Sequence, residues 1–228
     1  MTDVLQAPTV IVLAAGRGER FARSGGGTHK LDALLAGVPV LEHVLRSVAA
    51  SGLACHVVRP ANGTDGMGDS IARGVAATSD AAGWLILPGD LPLVDARSLL
   101  RVAEGLASQP VVVPFWNARQ GHPVGFGREC RAALMALGGD AGAAAVVRAQ
   151  RQAGRGLDME LDDEGIVLDI DTPDDLARAE ALLETRGAAR WKASMCGGCI
   201  EDDLILATPR SMAARACRAR HPGWCAMA

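Results

Sequence analysis

The chain has 228 residues, 49% hydrophobic and 3% aromatic, with a net charge of −3. That length suits one α/β domain with an appendage, and the charge gives no electrostatic case for nucleic acid or a membrane as partner. Apolar residues come in short runs rather than a span of about 20, the start MTDVLQAP has no signal-peptide regions, and six cysteines without an export signal are no disulfide framework, so the cytoplasm is the expected compartment.

A first strand is predicted at Val10-Ile11-Val12-Leu13, an apolar β-branched run of the kind buried on both faces. It stops at Ala14-Ala15-Gly16, small residues that let a backbone come close to a ligand. Arg17, Gly18 and Arg20 follow, then Gly25-Gly26-Gly27, then Lys30. Backbone N–H groups in such a loop cradle phosphate oxygens, and the cations offset their charge. Two common phosphate motifs fail on particular residues. A P-loop needs Ser or Thr after its lysine, where Leu31 stands; the dinucleotide fingerprint needs a third glycine where Phe21 stands.

Gly37 punctuates a turn, and Pro39 opens a helix in which Val40, Leu41, Val44, Leu45 and Val48 recur at helical spacing. Ala54 to Pro60 reads as the second strand. Gly66-Met67-Gly68 leads into a helix with Asp69 and Ser70 as N-cap candidates, and a helix N-terminus suits an anion or a base edge. Trp84 to Leu87 reads as a buried strand with Asp90 just beyond its carboxyl end, where open parallel sheets place their ligands. A carboxylate there, beside a triphosphate, is a natural Mg²⁺ ligand.

Further on, Asp95 to Ser108 is predicted helical, Pro110 to Phe115 a strand and Arg128 to Ala136 a helix, with another helix opened by Gly138-Gly139-Asp140. Leu157 to Leu161 and Ile166 to Ile170 are short strand candidates around an acidic turn. Thr172 before Pro173 starts a helix that continues through Leu176, Ala179 and Leu183. This order of elements predicts a doubly wound α/β sheet. From Gly187 the periodicity becomes irregular, and four cysteines follow: Cys196, Cys199, Cys217 and Cys225. The second pair lacks the close spacing usual for zinc. The expected organisation is one domain over 1–186 and a loosely docked or poorly ordered Cys-containing extension over 187–228, to which no function is assigned.

Five elements stand in one order. They are Leu13-Ala14-Ala15-Gly16 with Gly18, Arg20 and Lys30; Gly66-Met67-Gly68-Asp69-Ser70; Pro88-Gly89-Asp90-Leu91-Pro92; Gly121-His122-Pro123-Val124; and Asp169-Ile170-Asp171-Thr172-Pro173. Over roughly Thr9 to Leu183 they resemble the MobA-like nucleotidyltransferases, and within these the molybdenum cofactor cytidylyltransferases. The loop reads L-A-A-G, where the guanylyl branch usually reads L-A-G-G. The resemblance implies that a methyl group at Ala15 would narrow the space for the base and favour a pyrimidine over a purine.

The resemblance implies a Rossmann-like three-layer α/β/α fold of the nucleotide-diphospho-sugar transferase kind, with a mostly parallel sheet and one reversed strand. It implies transfer of CMP from CTP to the terminal phosphate of molybdopterin, with Mg²⁺ as cofactor. Leu13, Ala14, Ala15, Gly16, Arg17, Gly18, Lys30, Gly66, Gly68 and Ser70 would contact the nucleotide. Lys30 and Arg20 would neutralise developing charge. Asp90 would hold the metal, with Asp171 as second ligand, and His122, Pro123 and Asp140 would face the acceptor. Ala144 departs from the pattern, since an arginine commonly follows G-D-x-G-A. The alternatives are GTP with molybdopterin, a sugar- or alditol-phosphate acceptor and, from another class, a non-catalytic nucleotide- or cofactor-binding chaperone for a molybdoenzyme. A transient molybdoenzyme or chaperone partner fits the same reading.

Overall fold

The computed structural model describes residues 7–16, 18–60 and 66–196, with 187–196 by backbone alone. The chain divides into two units, Met1–Arg186 and Gly187–Ala228; the first carries the fold described here. Its elements are β1 (Thr9–Leu13), α1 (Glu19–Arg23), β2 (Leu34–Leu35), β3 (Val38–Pro39), α2 (Val40–Ser51), β4 (Ala54–Val58), α3 (Met67–Ala77), β5 (Gly83–Pro88), α4 (Ala96–Gly105), β6 (Val111–Trp116), β7 (Arg119–Gln120), β8 (Val124–Gly127), α5 (Arg131–Met135), α6 (Ala144–Gln152), β9 (Gly156–Glu160) and α7 (Pro173–Cys196). Among the described residues no helix is long and apolar enough to cross a membrane.

The main sheet runs β4-β1-β5-β8-β6-β7, with β9 on the other edge of β6. β4, β1 and β5 are parallel, as are β6 and β9, and β8 runs antiparallel between β5 and β6. The reversal has a local cause. Asn117 and Ala118 both have positive φ, 48° and 61°, and close a two-residue turn between the paired Trp116 and Arg119. Such turns match the twist of the flanking strands and send the chain straight back. The smaller β2–β3 hairpin turns the same way at Ala36 and Gly37.

Side-chain alternation assigns the layers. Val10, Val12, Leu85, Leu87 and Val112 face one side, with α2, α4 and the first turns of α7. Ile11, Trp84, Ile86, Val111 and Val113 face the other, with α3, α5 and α6. The result is a three-layer α/β/α sandwich around a mostly parallel sheet, with one strand reversed in its middle.

Two expectations are corrected. Asp69 and Ser70 do not cap α3. The helix begins at Met67 with Gly66 as its N-cap, and Ser70 is an interior residue whose hydroxyl donates to the Gly66 carbonyl at 3.0 Å. Gly66 stands at φ 154°, open only to glycine, because the chain presses there against Gly139 and Asp140. Ile166 to Ile170 is not a strand. A 3₁₀ turn occupies Glu164–Val167, set by the Asp163 carboxylate accepting from Gly165 N at 2.9 Å. The backbone of this stretch binds the site loops instead of a ladder: His122 N donates to Ile166 O and Ile170 N to Asp90 O, both at 2.9 Å. α7 runs past Gly187 to Cys196, and Cys199, Cys217 and Cys225 lie outside the described residues.

Candidate active site

The chain leaves β1 for β4 on one side and β5 for β6 on the other, so the carboxyl ends of β1 and β5 flank a switch point, the place where such sheets form a crevice. Leu13 pairs with Pro88 there, and Gly89 N donates to Leu13 O at 2.9 Å. The loop after β1 and the turn carrying Asp90 therefore open side by side, onto a cleft of about 960 Å³.

At its floor, three charged side chains far apart in sequence meet. Lys30 Nζ donates to Asp90 Oδ2 at 2.6 Å and to Asp171 Oδ1 at 2.8 Å. Arg20 Nη1 donates to the other Asp171 oxygen at 2.7 Å. The side chains of Lys30, Asp90 and Asp171 are 13%, 17% and 25% exposed, whereas Arg20 is 79% exposed and reaches in from the rim. Burial opposes charge on Lys30, but the two carboxylates outweigh it and raise its pKa. The hydrogen bond from Lys30 leads in holding Asp171 below the usual carboxylate range, against burial. Asp171 itself is aimed by a helix cap: Asp175 accepts from the backbone N–H of both Asp171 and Thr172, while Thr172 Oγ1 accepts from Asp175 N.

These carboxylates suit a small hard cation. Asp90 Oδ1 is buried with no partner among the described residues. Among those residues no group of three or more His, Cys, Asp or Glu side chains is placed to hold a metal. Two carboxylates nonetheless fit Mg²⁺, which takes one or two from protein and completes its shell with phosphate and water. The donor set therefore fits Mg²⁺ beside a bound triphosphate and does not fit a closed zinc centre.

The structure brings Leu13, Ala15, Gly16 and Gly18 to the cleft wall with Arg20, Lys30, Asp90 and Asp171. Gly66, Ser70, His122 and Asp140 line it as well. Ala14, Gly68 and Pro123 do not, and Arg17 lies outside the described residues. Ala14 is a core residue, 3% exposed. Gly68 serves packing: a Cβ there would stand 2.6 Å from Ala141 O and 2.8 Å from Gly138 N, and its own N–H donates to Gly139 O at 2.8 Å. The glycines of this element thus let α3 dock on the 138–141 loop and carry Asp140 to the cleft. Pro123 follows a cis peptide bond, and His122 before it lines the cleft. Burial lowers the His122 pKa, against a backbone contact to Ile86 and the charges of Asp90 and Asp169, and Nδ1 has no partner among the described residues.

Residues 10–154 match the family profile of a MobA-like NTP transferase domain. The chain belongs to the MobA-like NTP transferase family. The bifunctional protein GlmU of Xanthomonas oryzae is 31% identical over 144 residues, which covers 54% of this chain and 30% of that protein. The chain thus spans less than a third of the length of the curated relatives it matches. A nucleotidyl transferase from Methanothermobacter thermautotrophicus superimposes with a TM-score of 0.66 at 25% identity, covering 78% of this chain and 99% of that one. Rv0371c from Mycobacterium tuberculosis does so with a TM-score of 0.61, also at 25% identity and with the same coverage.

Three residues of this MobA-like transferase received no role from the sequence. His29 ties the loop together: its Nε2 is 2.8 Å from Gly16 O while Nδ1 accepts from Leu31 N at 3.3 Å, an arrangement that sets Nε2–H as the donor. Asp169 lines the cleft beside Asp171, and burial followed by the charges of Asp90 and Asp171 raises its pKa. Arg119 reaches the cleft from β7, its Nη2 on Val167 O at 3.3 Å. Asp169 alone had a signal. It sits two residues from Asp171, with the core residue Ile170 between them, and both aspartates line the cleft.

Proposed function

We propose that this chain transfers CMP from CTP to the terminal phosphate of molybdopterin and releases pyrophosphate. The observation that carries the reaction class is the Asp90–Lys30–Asp171 cluster at the switch point, beside a glycine-rich loop whose opening residues line the same cleft. The choice of CTP rests on the L-A-A-G loop, whose Ala15 lies in the cleft wall. The choice of acceptor rests on the motif resemblance.

In the reaction an oxygen of the acceptor phosphate forms a bond to the α-phosphorus as the bond from that phosphorus to the bridging oxygen breaks. The electron pair leaves with pyrophosphate. The attacking phosphate is already ionised near neutral pH, so the chain supplies positioning and charge neutralisation rather than a general base. Lys30 and Arg20 offset the charge that builds on the α-phosphoryl and pyrophosphate oxygens. Gly16 and Gly18 let the loop backbone approach the triphosphate. Asp90 and Asp171 would hold Mg²⁺, which would supply Lewis-acid charge neutralisation to the departing pyrophosphate. His122 orients the acceptor as a neutral imidazole.

The test is pyrophosphate release by the purified chain with Mg²⁺ and molybdenum-loaded molybdopterin, comparing CTP with GTP. Release with CTP alone is expected, with turnover lowered by orders of magnitude in Lys30→Ala and Mg²⁺ dependence lost in Asp90→Asn. Preference for GTP overturns the base assignment. Release only with a sugar or alditol phosphate overturns the acceptor. Nucleotide binding without release, whatever the acceptor, overturns catalysis and favours a carrier.

A further inference from the structure

We propose that Lys30 is the built-in occupant of the cation position between Asp90 and Asp171, so that a divalent metal competes with the Lys30 ammonium and the triphosphate makes room for the metal by drawing that ammonium away. The inference rests on the reading of this cleft as a metal-assisted nucleotidyl transfer site. It adds an order of events: nucleotide and metal bind cooperatively, with Lys30 as the coupling element.

The geometry carries it. Lys30 Nζ sits 2.6 Å from Asp90 Oδ2 and 2.8 Å from Asp171 Oδ1. These are oxygens that would face a metal held between the two carboxylates. Mg²⁺ holds carboxylate oxygens at about 2.0–2.1 Å, so metal and ammonium cannot share the position. The other Asp171 oxygen, Oδ2, already accepts from Arg20 at 2.7 Å, and the Asp171 backbone N–H donates to Asp175 at 3.2 Å, so Oδ1 is the oxygen that Lys30 and a metal would contest. Adding a dication while Lys30 stayed would also crowd four positive charges, Arg20 included, around two carboxylates.

The movement asked of Lys30 is confined to its side chain. Its backbone lies in a turn fixed by Asp32 N on His29 O at 2.9 Å and Leu41 N on Leu31 O at 3.0 Å. Four flexible methylenes above that turn let the ammonium swing toward the wall formed by Gly16 and Gly18, where triphosphate oxygens would receive it. Nucleotide therefore removes the competitor for the metal, and by linkage the metal favours the nucleotide-bound position of Lys30 by the same factor.

The experiment measures Mn²⁺ binding to the full chain by the electron paramagnetic resonance of the free ion, with and without the CTP analogue whose α,β-bridging oxygen is a methylene. Without nucleotide, Lys30→Met is expected to bind Mn²⁺ about tenfold or more tighter than wild type, within the usual range of such couplings. The analogue is expected to raise Mn²⁺ affinity far more in wild type than in Lys30→Met. Lys30→Gln, which keeps a donor to one carboxylate, gives the same readout should the methionine variant not fold by circular dichroism. Equal or weaker Mn²⁺ binding in both variants without nucleotide, with wild type still binding Mn²⁺ and analogue together, overturns this inference alone. No Mn²⁺ binding in any form, or binding unaffected by Asp90→Asn, overturns the metal-assisted reading with it.

Discussion

Asp163→Ala probes how the fold delivers Asp171 to the cleft. Asp163 is 5% exposed and accepts from four donors. They are Asp95 N at 2.8 Å, Ser98 Oγ at 2.7 Å, Gly165 N at 2.9 Å and Arg186 Nη2 at 2.7 Å. One carboxylate thus joins the start of α4, the turn that leads to Asp169 and Asp171, and α7. Removing a partner from a buried ion pair costs about 3–5 kcal/mol, and hydrogen bonds to a charged group contribute about 1.5–3 kcal/mol each. Arg186 is 32% exposed and keeps Leu93 O at 2.6 Å, so water and that carbonyl recover part of the loss. The donors of Asp95, Ser98 and Gly165 recover less. The expected cost is about 3–4 kcal/mol, a large share of the roughly 5–15 kcal/mol that holds an ordinary domain together.

Urea unfolding followed by circular dichroism reads this directly. With a slope of about 2–3 kcal/mol/M, the midpoint should fall by more than about 1 M at unchanged slope. Arg186→Ala should cost less, because it leaves the three other donors satisfied. A loss below about 1 kcal/mol for Asp163→Ala would refute the reasoning, since a carboxylate this buried and this fully bonded cannot be removed so cheaply unless the segment repacks. Because the segment also carries Asp171, turnover in the surviving folded fraction should fall too.

Gly68→Ala should destabilise by about 1–3 kcal/mol, the usual cost of overpacking, because its methyl would stand 2.6 Å from Ala141 O; an unchanged melting temperature would show that the 138–141 loop yields freely. His122 has a lowered pKa in the fold, so the folded state binds fewer protons than the unfolded one, and its stability contribution is present above the ordinary value of 6.5 and lost as pH falls below it. Wild type should therefore lose melting temperature as pH falls below 6.5, with a flatter profile in His122→Asn; equal slopes would assign the loss elsewhere. Ala15→Gly should relax the preference for CTP over GTP, and an unchanged ratio in competition assays would remove the methyl group as the selector.

Much of the fold was legible because its signals are local. Val10 to Leu13 and Trp84 to Leu87 are apolar enough to be buried on both faces, and the spacing of Val40, Leu41, Val44 and Val48 allowed only a helix packed on the sheet. Thr172-Pro173 read as a helix start because capping is settled within four residues. Local signals misled where the backbone was claimed from afar. Ile166 to Ile170 has strand composition, yet its polar groups go to His122 and Asp90. Asp69 and Ser70 are good caps, yet contact between Gly66 and the 139–140 backbone starts α3 earlier.

The sequence by itself determined which chemistry the chain can bring: small residues and cations after β1, a carboxylate at the end of β5, and a second acidic turn before α7. Residue types and their nearest neighbours suffice for that. Only the tertiary structure decided that Lys30, Asp90 and Asp171, separated by 60 and 141 residues from the lysine, share one set of hydrogen bonds. It also decided that Gly68 packs α3 instead of lining the cleft, and that His29 latches the loop. Those outcomes follow from strand order and from the way the switch point gathers loop ends, and distance along the chain carries no record of either.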